Sequence, residues 1–319
     1  MAKTTTGVVT ATSLNVRPEA NTSKPSVGTL PRGAVVTILA REGVWYKIKS
    51  GELQGFAHGD YIKIKESAPV TGFLFEQDEL RDAPLVPSAG DRITVTSKNS
   101  AVQKLAANVW NSYGGLLALV SDTLAVDAAA AVGIICVESS GKGMGPDGRM
   151  IIRFENHIFW KEWGKNNEAT FNKHFRYNKS QAWKEHQFRE KSTGTWASFH
   201  GDQAAEWRVF EFARKLNEAA AMRSISMGLP QIMGFNSAAV GYDSVGEMFA
   251  AFAGDIRYQI LGLFDFIKGP GTTSPMLSAL QRKNYDDFAA RYNGPGQASV
   301  YGAKIAAHVD AFNAVKPGR

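Results

Sequence analysis

The feature that most constrains the fold is a run of small and apolar residues between Asp127 and Gly141 that carries one acid near its end. Asp127 can cap a helix N-terminus, and Gly141 or Gly143 can end the helix. The side chains between these caps predict a buried helix whose last turn holds Glu138. Burial and the negative end of the helix dipole disfavour a charged carboxylate, so we expect both to raise the pKa of Glu138.

A carboxylic acid that stays protonated near neutral pH can give its proton to a leaving oxygen, as the acid of a glycosidase does. The alternative is that Glu138 simply ends the helix and points to solvent. The helix alone does not distinguish a catalytic acid from a solvent-exposed residue at the helix end. The segments that follow it in the chain provide further evidence.

Composition sets the broad class of the protein. A chain of 319 residues with a hydrophobic fraction of 44% is typical of a globular protein with one or two domains. No apolar stretch approaches the roughly 20 residues of a membrane span, and the N-terminus has no visible secretory signal. The single Cys136 excludes an internal disulfide framework and favours synthesis in a reducing cytoplasm. Its place in the apolar helix indicates a core residue.

The positive charge is concentrated near the N-terminus. Residues 1–66 hold nine Lys and Arg against five Asp and Glu, which leaves +4 of the total of +6. Such an excess favours a polyanionic partner, either nucleic acid or an anionic cell envelope. Because the chain has no run of Lys and Arg and no base-stacking motif, we do not expect nucleic acid.

Residues 1–66 predict a small all-β barrel, because short β-branched runs alternate with turn-forming residues. The segments Leu14-Asn-Val-Arg-Pro-Glu, Trp45-Tyr-Lys-Ile and Gly55-Phe-Ala-His-Gly-Asp-Tyr-Ile resemble a bacterial SH3 domain. The resemblance covers about 60 residues and implies binding to the bacterial cell wall.

The rest of the chain divides into two parts with different sequence patterns. Residues 67–98 contain several prolines and an acidic patch, and we predict a linker or an irregular segment there. Residues 99–319 show a helical period from Ser100 onward and predict a mainly α domain. The turn sequence Gly145-Pro-Asp-Gly precedes an alternating run that ends at Glu155, and together they predict one short β-hairpin.

The alternating run places a second acid on its outer face. Ile152 and Phe154 point to the predicted core, whereas Arg153 and Glu155 share the opposite face. Glu155 could therefore lie across a cleft from Glu138 as a second carboxylate. The alternative is a surface pair of Arg153 and Glu155 that contributes little.

Two later segments suit a saccharide. Gln231, in Gly228-Leu-Pro-Gln, offers a donor and an acceptor for sugar hydroxyl or acetamide groups, or it caps a turn. Tyr292 and Asn293 precede Gly-Pro-Gly at a predicted helix end. They form either a saccharide wall or a C-cap with a core aromatic ring.

In this order, Glu138-Ser139, Gly228-Leu-Pro-Gln-Ile-Met and Arg291-Tyr-Asn-Gly-Pro-Gly resemble the three signatures of the lysozyme-like superfamily, which includes lytic transglycosylases. With Arg153-Phe-Glu-Asn-His-Ile-Phe, they resemble the N-acetylmuramidase domain of phage endolysins over roughly residues 100–315. Met227 departs from the aromatic residue expected before Gly228.

The resemblance implies a peptidoglycan hydrolase that cleaves the β-1,4 bond between N-acetylmuramic acid and N-acetylglucosamine. Glu138 would be the general acid, and Glu155 a second carboxylate or a substrate ligand. The expected substrate-binding residues are Ser139, Gln231, Tyr292 and Asn293. Two alternatives remain: a lytic transglycosylase that forms 1,6-anhydro ends, and an inactive wall-binding protein.

The sequence predicts no cofactor and no metal, because none of the six histidines has the spacing of a zinc or calcium site. The expected partner is bacterial peptidoglycan, bound by a monomer without membrane insertion. We expect synthesis in the host cytoplasm without a signal peptide, and action on the wall after release.

Overall fold

The computed structural model describes residues 5–65 and 72–316, and the chain divides into two compact units, Met1–Pro69 and Val70–Arg319. The N-terminal residues 1–4, in which no signal was expected, lie outside the described residues, as do the first residues of the predicted linker. Within the described ranges, no helix is both long and apolar enough to cross a membrane.

The first unit is built from strands. Five of them form an antiparallel sheet of order β6-β5-β4-β1-β7, and β2 pairs with β3. Alternate residues such as Leu14, Val16 and Ile48 fill its core. This arrangement confirms the predicted all-β N-terminal domain. The strands are β1 (Thr5–Val9), β2 (Ser13–Val16), β3 (Gly28–Pro31), β4 (Val35–Glu42), β5 (Trp45–Ser50), β6 (Leu53–His58) and β7 (Ile62–Lys65).

The second unit is mainly helical, as predicted, and contains two short sheets. Its helices are α1 (Asp78–Arg81), α2 (Ala101–Leu124), α3 (Ala128–Ser139), α4 (Asn156–Glu162), α5 (Glu168–His174), α6 (Gln203–Leu216), α7 (Glu218–Arg223), α8 (Val245–Gly254), α9 (Ile256–Lys268), α10 (Pro275–Gln281), α11 (Tyr285–Tyr292) and α12 (Ala298–Val315). Its strands are β8 (Ile152–Phe154), β9 (Phe175–Arg176), β10 (Gln187–Phe188), β11 (Ala197–Ser198), β12 (Ile225–Met227) and β13 (Ile232–Met233).

Residues 72–98 belong to the second unit and pack on its helices. Leu74 is fully buried in the helical core, and its N–H donates to Asp265 Oδ1 on α9 at 2.7 Å. Further along, Trp110 Nε1 on α2 donates to the Asp91 carbonyl at 2.8 Å. Because these polar contacts and buried side chains fix the segment at both ends, its described part is an irregular segment of the helical unit.

Helix α3 lies at the centre of the helical core. The Asp127 side chain accepts a hydrogen bond from Ala129 N–H, as the sequence predicts for an N-cap. Residues 129–136 are all buried, and α12 crosses so closely that a Cβ on Gly133 would lie 3.1 Å from the Ile305 carbonyl. Ser140, with φ +53°, ends the helix in the left-handed conformation.

The predicted hairpin after α3 is only partly formed. The turn exists, because Gly145 N–H donates to the Arg149 carbonyl at 2.7 Å. The strand β8, however, pairs with β12, about 70 residues later in the chain, in the sheet β13-β12-β8. The alternation is as predicted: Ile152 and Phe154 are buried, whereas Arg153 is exposed.

Candidate active site

Glu138 lies in the last turn of α3, where the buried helix reaches the surface of the core. Burial raises the pKa of its carboxyl to about 7, and a hydrogen bond from the Asn293 side chain opposes part of that rise. Near neutral pH the carboxyl is therefore poised between its acid and its base form. This position is the one that the apolar run predicts.

Tyr292 and Asn293 lie beside Glu138 at the C-terminal end of α11. The phenolic hydroxyl of Tyr292 donates to the Pro230 carbonyl at 3.3 Å. Burial, and then the nearby Glu138, raise the pKa of that hydroxyl well above its usual value, so it remains a donor. Asn293 caps α11, and its buried Oδ1 has no hydrogen-bond partner among the described residues. The Asn293 amide therefore supports the Glu138 carboxyl, while its own acceptor is buried without a partner among the described residues.

Gln231 lies in the turn between β12 and β13, which Tyr292 reaches through Pro230. Its Nε2 donates to the Gly228 carbonyl at 2.7 Å, and its Oε1 accepts from Ser226 Oγ at 2.7 Å. Its backbone is left-handed, with φ +50°, a conformation that costs a non-glycine residue about 1–3 kcal/mol. The side chain of Gln231 thus braces a strained turn.

Gln259, on α9, supports the same turn. The sequence analysis did not identify this residue. The side chain is fully buried on α9; its Oε1 accepts from Leu229 N–H at 2.7 Å, and its Nε2 donates to the Phe252 carbonyl at 2.7 Å. A Cβ on Gly228 would lie 2.4 Å from this amide, so only glycine fits there. A lone Gln in an amphipathic helix carries no sequence signal for this role.

Ser139 follows Glu138 and ends α3. Its Oγ is buried and has no hydrogen-bond partner within the described ranges. The turn beyond it is held by Tyr113 on α2, whose hydroxyl donates to the Gly141 carbonyl at 2.9 Å. Tyr113 is a second residue that the sequence analysis did not single out.

Glu155 directly follows β8 and lies in a second cluster of side chains. Gly228 N–H donates to the Ile151 carbonyl before this strand, and Glu155 N–H donates to the Ser224 carbonyl after it.

The carboxylate of Glu155 is also engaged. Its Oε1 accepts from Arg153 Nε at 2.9 Å, and its Oε2 lies 3.4 Å from His157 Nδ1 and 3.4 Å from His186 Nδ1. These basic partners lower the pKa of Glu155 although burial acts in the opposite direction. Among the described contacts, none joins Glu155 to Glu138. The structure therefore brings together Glu138, Tyr292, Asn293 and the Gln231 turn, whereas the described contacts of the Glu155 carboxylate are with Arg153, His157 and His186.

Comparison with known proteins covers both units. The N-acetylmuramidase family model matches residues 127–313, and the bacterial SH3 domain model matches residues 12–63. Among solved structures, the crystal structure of the Burkholderia AP3 phage endolysin is similar, with 27% identity and a TM-score of 0.49 over 71% of this chain and 75% of that chain. No curated protein matches the sequence.

The family match begins at the N-cap of α3 and ends within α12, so it encloses the cluster around Glu138 and also Glu155. It spans more than half of the 319 residues. Together with the SH3 match, it confirms the resemblance on which the sequence analysis depends. The chain belongs to the N-acetylmuramidase family and is a peptidoglycan hydrolase with an N-terminal bacterial SH3 domain.

Proposed function

We propose that the protein hydrolyses the β-1,4 bond between N-acetylmuramic acid and N-acetylglucosamine, with Glu138 as the general acid. The observation that carries the proposal is the carboxyl of Glu138, whose pKa burial raises to about 7 at the end of a buried helix. The ideal pKa of a general acid lies near the operating pH. This match favours an active enzyme over an inactive wall-binding protein.

In the proposed reaction, the Glu138 carboxyl gives its proton to the glycosidic oxygen. The C1–O bond breaks, N-acetylglucosamine leaves with a free 4-hydroxyl, and positive charge develops at C1 of N-acetylmuramic acid. A water molecule then adds to C1, and its proton returns to the Glu138 carboxylate. Glu138 thus ends the cycle as an acid, and one water is consumed for each bond.

We assign the stabilisation of C1 to the acetamide group of the substrate itself. The sequence analysis offers two candidates, a second carboxylate or that acetamide. Glu155 is the predicted carboxylate, but both of its oxygens face basic side chains of its own cluster. An attack by the acetamide oxygen from the face opposite the leaving group requires no further acid from the protein.

The other site residues position the sugar in this proposal. Tyr292 and Asn293 form the wall beside Glu138, and the Asn293 side chain also holds the Glu138 carboxyl through a hydrogen bond. Gln231 acts through the shape of its turn, because both of its polar atoms are engaged within the protein. Ser139, next to Glu138 in the chain, has a buried hydroxyl without a hydrogen-bond partner among the described residues, and we keep it as a candidate substrate contact.

The products of digestion test which bond is cleaved. Mass spectrometry of purified peptidoglycan strands after digestion should show reducing N-acetylmuramic acid ends. Reducing N-acetylglucosamine ends would mean that the other glycosidic bond is cleaved. Ends lighter by one water would identify 1,6-anhydro products and hence a lytic transglycosylase, in which the muramic 6-hydroxyl replaces water as the nucleophile.

We propose that the SH3 unit binds the cell wall. Residues 1–66 carry +4, which suits an anionic envelope. The unit also presents a surface of three rings, in which His58 lies between Trp45 at 5.2 Å and Tyr61 at 5.8 Å, and half of the Tyr61 surface is exposed. Aromatic rings can stack on sugars or pack on peptide stems.

Binding to sacculi tests this role. In a pull-down, purified sacculi should retain at least tenfold less of the double variant Trp45→Ala, Tyr61→Ala than of the wild type, because the variant lacks two rings of this surface. Val27→Ala, which truncates an exposed valine of the same unit, is the matched control and should bind normally. Salt should weaken the charge-dependent part of binding in both proteins. Equal retention of the double variant would exclude this surface.

The proposed biological role is that of a phage endolysin. Such an enzyme is made in the host cytoplasm and reaches the wall after a separate membrane lesion. The single thiol, Cys136, is buried, and burial raises its pKa to about 12. An inert thiol of this kind is compatible with both a reducing cytoplasm and the wall.

A further inference from the structure

Outside the proposed catalytic cluster, a carboxylate and two histidines converge in the interior of the second unit. One ligand atom from each of Glu155, His186 and His200 lies within 4.8 Å of the other two. The His186 side chain is fully buried, and the other two side chains are largely buried. The mechanism proposed above uses none of the three.

The hydrogen bonds around this cluster determine which atoms carry free lone pairs. His200 Nδ1 lies 2.8 Å from Glu206 Oε1, and a carboxylate accepts, so the proton is on Nδ1 and the lone pair on Nε2. His186 Nε2 lies 2.8 Å from the Ala182 carbonyl, so its proton is on Nε2 and its lone pair on Nδ1. His186 therefore turns an acceptor nitrogen toward Glu155 Oε2, 3.4 Å away, and His200 keeps its lone pair on Nε2.

These acceptors are short of donors. Glu155 Oε2 and His200 Nε2 are buried and have no hydrogen bond of normal geometry among the described residues. The donors that approach the group are Asn156 N–H, 3.4 Å from His186 Nδ1, and His157 Nδ1, 3.4 Å from Glu155 Oε2. Buried acceptors with such long contacts are costly, and His186 Nδ1 also lies 3.4 Å from Glu155 Oε2.

We propose that Glu155 Oε2, His186 Nδ1 and His200 Nε2 bind a divalent transition-metal ion, with Zn²⁺ as the best match. Two histidines and one glutamate are a common zinc donor set, and water would complete a tetrahedron. With metal–ligand distances of about 2.0–2.1 Å, neighbouring ligand atoms of a tetrahedron lie about 3.4 Å apart. The His186–Glu155 distance of 3.4 Å already has this value, and His200, whose ligand atom lies within 4.8 Å of the other two, has to move closer to complete the set.

The surroundings fit a metal. Glu206 holds His200 from behind and also accepts from Phe154 N–H at 2.8 Å, and the Ala182 carbonyl holds His186. Carboxylates and carbonyls in these positions orient histidine ligands in known sites.

The position of the site indicates a structural role. Glu155 follows β8, His186 precedes β10, and His200 lies between β11 and α6. A bound ion would fix the long segment between residues 155 and 200 to β8, the strand that precedes it. His157, whose Nδ1 lies 3.4 Å from Glu155 Oε2, borders the site.

Metal binding by the full-length protein tests the proposal. After treatment with a chelator and dialysis, calorimetric titration with ZnCl₂ should give one ion per chain. The unfolding temperature should rise by roughly 5–10 °C at a hundredfold excess over the Kd. No stoichiometric binding by the wild-type protein would overturn the proposal.

Variants locate the ion. His200→Gln and Glu155→Gln should each lose at least a factor of ten in affinity, whereas His308→Gln, which changes a partly buried histidine on α12, should bind as the wild type does. Glu206→Gln keeps an acceptor for His200 and should weaken binding by roughly 10–100-fold. Unchanged affinity in His200→Gln would place the ion elsewhere.

A spectroscopic test on the wild-type protein does not depend on the folding of any variant. Co²⁺ in the site should give the intense visible bands of four- or five-coordinate cobalt without a thiolate charge-transfer band, since the only cysteine is Cys136. The weak spectrum of six-coordinate Co²⁺ would mean surface binding only and would contradict the proposal.

Discussion

Glu138→Gln should lower the rate of peptidoglycan cleavage by about 10²–10⁴-fold, because the amide keeps the shape of the side chain but has no proton to give. The rate is measured as reducing ends released from purified glycan strands. Glu247→Gln, which neutralises an exposed glutamate of α8, is the control and should retain full activity. Activity of Glu138→Gln within about threefold of the wild type would exclude Glu138 as the acid, since general acid catalysis contributes far more.

The stability of the same variant separates catalysis from folding. Because the pKa of Glu138 is raised from 4.5 to about 7 in the folded protein, the folded state binds the proton more tightly. Glu138 therefore costs no stability at pH 4, and its cost grows as the pH rises from about 4.5 and is complete above about 7.

Glu138→Gln should accordingly be more stable than the wild type at pH 8, by on the order of 1–3 kcal/mol after allowance for partial exposure. The difference should vanish at pH 4. Urea denaturation at the two pH values measures this difference. A variant that is inactive and also less stable at pH 8 would owe its inactivity to a damaged fold.

Lys268→Met should destabilise the second unit by about 3–5 kcal/mol, the second large effect that the structure predicts. Lys268 is fully buried, and its Nζ donates to the carbonyls of Gly72, Gly269 and Gly271 at 2.7, 2.9 and 2.8 Å. Methionine fills a similar volume but leaves those carbonyls without their charged donor.

Urea unfolding with Lys215→Met as control measures this effect, since Lys215 is exposed on α6. A destabilised Lys268→Met protein with an unchanged m value would show that the segment beginning at Gly72 is part of the same cooperative unit. A midpoint equal to that of the control would mean that Lys268 does not hold this segment to α9.

The sequence predicts those parts of the fold that depend on neighbouring residues. Helix α3 follows from an apolar run with Asp127 at its start, and the burial of Glu138 follows from its place in that helix. The outward position of Arg153 follows from simple alternation along β8. In these cases, local periodicity and capping contain the information.

Other features depend on contacts between distant parts of the chain. The pairing of β8 with β12 and the support of the Gly228 turn by Gln259 join residues with no shared local pattern. In the sequence, Lys268 resembles any lysine at the end of a helix, because its burial depends on a contact with the distant Gly72. The same holds for Glu155, because no spacing in the sequence predicts that it meets His186 and His200.

The dependence of kcat/KM on pH tests the assignment of Glu138 most directly, because this parameter reports the pKa values of the free enzyme. It is measured on soluble glycan strands between pH 5 and 9. With a carboxyl pKa of about 7, the acid form is lost as the pH rises, so kcat/KM should be level below about pH 6. It should then fall about tenfold for each further pH unit above 7. A kcat/KM that stays constant up to pH 9 would contradict the assignment of Glu138 as the proton donor.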